Sequence, residues 1–105
     1  MRDLSVEELA EWRTAGRDFI LLDVREHDEV RTAAIPGAMH VPLREVPARA
    51  GGLRKDAEIV VMCHHGGRSE RVAHFLESQG FDAVHNLEGG IDAWSLRVDP
   101  AVTRY

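Results

Sequence analysis

Apolar residues along this chain fall in short unbroken runs, separated by longer stretches where they recur every three or four positions. Phe19-Ile20-Leu21-Leu22-Asp23-Val24 and Glu58-Ile59-Val60-Val61-Met62 are such runs. They are too short for helices and typical of strands buried on both faces. Phe81 to Leu87 predicts a further strand, and Met39 to Val41 a short one closed by Pro42. Ser5-Val6-Glu7-Glu8 fits a capping box and starts a helix to about Ala15, ahead of Gly16, with Val6, Leu9, Ala10 and Trp12 facing the core. Arg25 to Ala33 predicts a short helix or turn, and Ile35-Pro36-Gly37-Ala38 a turn. Leu43 to Gly52 is weakly patterned, since Pro47 and Gly51-Gly52 limit any helix there. Glu70 to Gln79 predicts a helix burying Val72, Ala73, Phe75 and Leu76 and stopping at Gly80. Gly89-Gly90 turns the chain into a last helix holding Ile91, Ala93 and a core Trp94, and residues 98–105 follow as an extended tail. Strands alternating with helices imply an α/β fold on a mainly parallel sheet. Without an internal repeat or linker, residues 1–105 read as one domain.

Composition narrows the function. A net charge of −5 disfavours a nucleic-acid partner, because phosphate binding rewards the opposite sign. No apolar stretch approaches the length of a membrane span. The charged first twenty residues do not resemble a signal peptide, and one cysteine cannot close an internal disulfide. A reducing, cytoplasmic setting is therefore expected.

That cysteine sits in the most informative stretch of the chain, Cys63-His64-His65-Gly66-Gly67-Arg68-Ser69. A strand ends, a glycine-containing loop turns, and a helix begins. Backbone N–H groups converge at such a junction and favour negative charge. An ordinary thiol titrates near ~8.5, so only a few per cent is thiolate at neutral pH. Loop amides, the helix terminus and Arg68 all act in favour of the thiolate. Gly66 and Gly67 leave room for an incoming anion. Ser69 is expected as the N-cap of the next helix. His64 and His65 are expected to modulate the loop's charge from solvent, and no metal is expected because adjacent side chains in a tight loop diverge. Asp23, Arg25 and Glu29 lie near the same edge, as supports of the site or as an internal ion-pair network ordering the loop after the strand.

Three stretches resemble the rhodanese family of sulfurtransferases. Leu22-Asp23-Val24-Arg25, with Glu29 and Ile35-Pro36-Gly37-Ala38 beyond, resembles its amino-terminal signature. Cys63 to Ser69 resembles its active-site loop, C-x-x-G-x-R-S, and Leu87-Glu88-Gly89-Gly90-Ile91 with Ala93-Trp94 its carboxyl-terminal signature. The chain departs from the family at Ala33-Ala34, where many members carry glycine and histidine. The resemblance implies a rhodanese-like three-layer fold: a five-stranded mainly parallel sheet with helices on both faces. It implies a thiosulfate sulfurtransferase-like enzyme in which Cys63 takes a sulfane sulfur from a donor such as thiosulfate. The persulfide, held by His64, His65, Gly66, Gly67, Arg68 and Ser69, then passes to cyanide, a thiol or a protein. No cofactor beyond that covalent persulfide is implied. The partners would be a small donor and a thiophilic acceptor, or a sulfur-carrier or persulfide-donor protein. The loop has no lysine, which weakens the expectation of tight thiosulfate binding. One alternative is a persulfide carrier or interaction module with little thiosulfate activity. A more remote one is a cysteine phosphatase or arsenate reductase. Those enzymes separate cysteine from arginine by five residues, whereas four residues, His64 to Gly67, intervene here.

Overall fold

The computed structural model describes residues 1–105. Five strands form one parallel sheet in the order β1-β5-β4-β2-β3. They are β1 (Arg2–Leu4), β2 (Ile20–Asp23), β3 (Met39–His40), β4 (Glu58–Met62) and β5 (Ala83–Leu87). The helices are α1 (Val6–Thr14), α2 (His27–Thr32), α3 (Val46–Arg49, between two 3-10 turns), α4 (Gly67–Ser78) and α5 (Gly90–Arg97). The expected α/β architecture is what forms. Besides the short α3, which takes Pro47 into its first turn, strand β1 is the element the pattern does not predict. Two of its three residues are exposed, and it is a strand because it pairs with β5 from Arg2↔His85 to Leu4↔Leu87.

The unbroken apolar runs are explained by two separate cores. On one face, Leu22, Ile59, Val61 and Val84 pack with Val72, Ala73 and Leu76 of α4 and Val46 of α3. On the other, Leu21, Val60 and Met62 pack with Val6 and Leu9 of α1 and Ile91, Ala93 and Trp94 of α5. Alternate residues of β4 thus serve opposite layers, and each fully buried aliphatic side chain stabilises by about 1.5–3 kcal/mol. The Ser5 capping box forms as expected, with Glu8 N–H donating to Ser5 Oγ at 3.1 Å.

Register decides where the chemistry falls. Asp23 of β2 lies opposite Met62 of β4, so both strands end on one edge of the sheet. Ligands of open parallel sheets gather at that edge. The tail is less extended than expected. A turn closed by Val102 N–H to Asp99 O (3.1 Å) packs Val98 and Val102 against the second core and brings Tyr105 back to this edge.

Candidate active site

Cys63 follows β4 directly and is 1% exposed. Its Sγ accepts the N–H of Gly66 at 3.1 Å and that of Ser69 at 3.4 Å. The loop can fold back this sharply because Gly66 adopts φ +113°, a conformation costly for any residue with a Cβ. That turn starts α4 at Gly67, three residues earlier than the apolar pattern predicts. Ser69 is therefore not the N-cap: Gly66 is, and Ser69 is the third residue of the helix, fully buried. Its hydroxyl lies 3.3 Å from Cys63 Sγ, 3.1 Å from Gly66 O and 2.5 Å from Asn86 Oδ1. Asn86, buried on β5, also donates from Nδ2 to Gly66 O at 3.2 Å. The Ser69 hydroxyl thus has Asn86 Oδ1, Gly66 O and Cys63 Sγ all within hydrogen-bond reach.

The loop's other anchor is α5. Ile91 N–H donates to Cys63 O at 3.0 Å and Asp92 N–H to His64 O at 3.1 Å. Both are first-turn amides with no acceptor inside their own helix. This approach needs Gly90, where a Cβ would lie 2.5 Å from the carbonyl oxygens of Cys63 and His64, at φ +59°. Backbone N–H groups thus face the sulfur while backbone carbonyls are tied off behind it. The positive ends of these amide dipoles point at the sulfur.

Side chains build the rim. Arg68 and Glu29 make a two-pronged ion pair, Nη1 to Oε1 at 2.7 Å and Nη2 to Oε2 at 2.8 Å. Glu29 also accepts the Glu26 N–H at 3.0 Å and the Tyr105 hydroxyl at 2.9 Å. With Arg68 as the principal cause, its carboxyl is held down at about 2, against an ordinary 4.5. The Arg68 guanidinium is correspondingly raised. Burial pushes the Tyr105 phenol up to about 12, so it is neutral and can donate. Its ring stacks on His64, centroids 3.9 Å apart with planes at 6°.

Asp23 and Arg25 form a fully buried pair, with Arg25 Nη2 to Asp23 Oδ2 at 2.6 Å and Nε to Oδ1 at 2.9 Å. Arg25 also donates to Ala33 O at 2.8 Å, to Glu29 O at 3.3 Å and to the Tyr105 hydroxyl at 2.9 Å. The pair is an internal network that orders the chain after β2 and reaches the loop only through Tyr105 and Glu29. Gly67 opens α4 in free space, and exposed His65 stacks against half-buried His64. Metal-ligating atoms of His64, His65 and Asp92 lie within 4.8 Å of one another, but the Asp92 carboxylate is held by Arg104 at 3.0 Å. A cavity of about 400 Å³ beside β3, lined by Leu22, Val41, Val46 and Leu53 among others, contains no loop residue and no nucleophile. No helix is long and apolar enough to cross a membrane.

Sequence reasoning missed two residues that touch the site, Asn86 and Tyr105. The first has a signal: it is a lone amide near the carboxyl end of an interior strand, where parallel sheets place their sites.

Comparison with known proteins gives the family and the fold. Residues 5–97 match the family model described as Rhodanese-like domain. An Arabidopsis thaliana protein named Rhodanese-like/PpiC domain-containing protein 12, chloroplastic, is 40% identical over the whole of this chain, which spans only 38% of that protein. A protein of Allochromatium vinosum named Sulfurtransferase is 32% identical, with 97% of this chain and 95% of that one covered. The crystal structure of a rhodanese-like domain protein from Staphylococcus aureus superposes with a TM-score of 0.85 at 30% identity, covering 100% of this chain and 99% of that one.

Proposed function

The chain belongs to the Rhodanese-like domain family, and from that premise we propose that it is a sulfurtransferase working through a persulfide on Cys63. The observation that carries this reading is the pair of N–H groups, from Gly66 and Ser69, aimed at a buried sulfur.

With thiosulfate as donor, the Cys63 thiolate attacks the outer, sulfane sulfur. A new S–S bond forms, and the bond to the sulfonate sulfur breaks with its electron pair. Sulfite leaves as a dianion, and Cys63–S–S⁻ keeps the single charge of the thiolate. The Gly66 and Ser69 N–H groups, which converge on Cys63 Sγ, stabilise the negative charge at this end of the loop without a cation in contact. In the second half, a thiophilic acceptor such as cyanide attacks that terminal sulfur and departs as thiocyanate, returning the thiolate. Ser69 supports the charged sulfur when its hydroxyl turns toward Sγ, and Asn86 holds the loop by its Gly66 carbonyl. The sulfur rides on the protein, so this cycle calls on no other group.

The test is an intact mass of reduced protein before and after thiosulfate, then after cyanide, with Cys63→Ser as control. One added sulfur on wild type alone, removed by cyanide, is the expected result. No adduct from thiosulfate or from a persulfide donor would overturn the reading.

A further inference from the structure

Every arginine tied to the site is already matched by a carboxylate. Arg68 pairs with Glu29, Arg25 with Asp23, and Arg104 with Asp92, whose amide holds the loop. Arg68 is the one that belongs to the loop itself, and its pair is unusually well fixed. Both prongs are charge-assisted bonds of short length. Glu29 is held from two further sides, by the Glu26 amide and the Tyr105 hydroxyl. Tyr105 is in turn held by Arg25 and by its stack on His64. To meet an incoming anion, Arg68 would have to leave a carboxylate whose side chain is only 17% exposed and so poorly rehydrated.

We propose that Glu29 and Tyr105 set the donor specificity of Cys63 by holding Arg68 in an ion pair, so that the site favours a persulfide donor of low charge over a small dianion such as thiosulfate. This rests on the sulfurtransferase reading. The loop amides still attract one negative charge, the one that Cys63 carries throughout the reaction. A second and third charge, brought by thiosulfate, find no unpaired arginine or lysine within the loop Cys63–Ser69 itself. An alkyl persulfide brings at most one charge. The Cys63 thiolate attacks its outer sulfur, the new S–S bond forms, and the alkyl thiolate leaves with the electron pair.

The experiment measures kcat/KM for two donors, thiosulfate and an alkyl persulfide, at about pH 8, where ordinary histidines are neutral. Glu29→Gln frees the Arg68 charge. The ratio of kcat/KM for thiosulfate to that for the persulfide should rise by about tenfold, through KM for thiosulfate, as expected for one added charge-assisted hydrogen bond. Adding Arg68→Ala to Glu29→Gln should return the ratio to the wild-type value. Tyr105→Phe keeps the ring on His64 and removes one bond to Glu29, so it should move the ratio the same way by a few-fold. It keeps the proposal testable should Glu29→Gln fail to fold. A ratio unmoved in the folded variants, or a rise that survives loss of Arg68, would overturn the inference while leaving the function intact. No sulfur on Cys63 from either donor would overturn both.

Discussion

The cradle around Cys63 and the rim above it adjoin one another and are built on opposite plans. The cradle consists of main chain: two amides face the sulfur, two carbonyls are tied to α5, and glycines stand wherever the backbone must come close. The rim consists of side chains, in which Arg68, Glu29, Tyr105 and Arg25 complete one another's hydrogen bonds. A cradle of amides tolerates many side chains at His64, His65 and Gly67 but almost none at Gly66 or Gly90. A rim of ion pairs can be retuned one residue at a time without disturbing the sulfur.

The sharpest way to break that contrast is Gly90→Ala. The added methyl would sit 2.5 Å from two backbone oxygens at a positive φ, with nothing flexible to give way. We expect a loss of at least ~3 kcal/mol, seen as a fall in Tm of more than about 10 °C, with sulfur loading lost in parallel. A variant as stable as wild type would show that the anchor to α5 is dispensable. Next in size is Asn86→Ala, which strips a partner from the Ser69 hydroxyl and from the Gly66 carbonyl inside the core. The expected cost is about 1–3 kcal/mol in urea unfolding.

Rim changes should be milder and should depend on pH. Because the Glu29 carboxyl is held at about 2 rather than 4.5, its pairing stabilises the fold fully above the upper value. That contribution fades as pH falls toward the lower value, where the carboxylate takes up its proton. Arg68 is one-third exposed, so solvent screening limits the pair to about 1 kcal/mol. The difference in thermal stability between wild type and Glu29→Gln should be constant above about pH 5 and shrink below about pH 4. A gap that ignores pH would remove Glu29 from the ion pair. The smallest effect belongs to Gly67→Ala, where a Cβ meets nothing within 4 Å and the residue already lies in α4. It should raise stability by about 0.5 kcal/mol, readable in the urea midpoint. A loss comparable to that of Gly90→Ala would contradict the distinction between tight and open glycines.

The same division explains what is legible in the sequence. Strands β2 and β4 announce themselves because burial on both faces demands unbroken apolar runs. The cysteine loop is legible because a strand end, glycines and a helix start are adjacent in the chain. Ser69 reads as a cap because Glu70 looks like the first helical residue. The left-handed turn at Gly66 starts the helix sooner and moves that hydroxyl inward to the sulfur. Strand β1 carries no periodicity in three residues and depends on β5. The rim is the least legible part. Glu29 and Arg68 are 39 positions apart, and Tyr105 meets Glu29 across 76, so neither partnership leaves a local mark.

Arg25 has a consequence for how this protein is made. Its guanidinium collects Asp23, Ala33 and Glu29 from nearby sequence, and then the Tyr105 hydroxyl from 80 residues further on. On a ribosome the first three partners emerge early, and the cation waits half-enclosed while the rest of the sheet is synthesised. The rim beside Cys63 is therefore completed only once residue 105 has been made, after the sulfur nucleophile it adjoins.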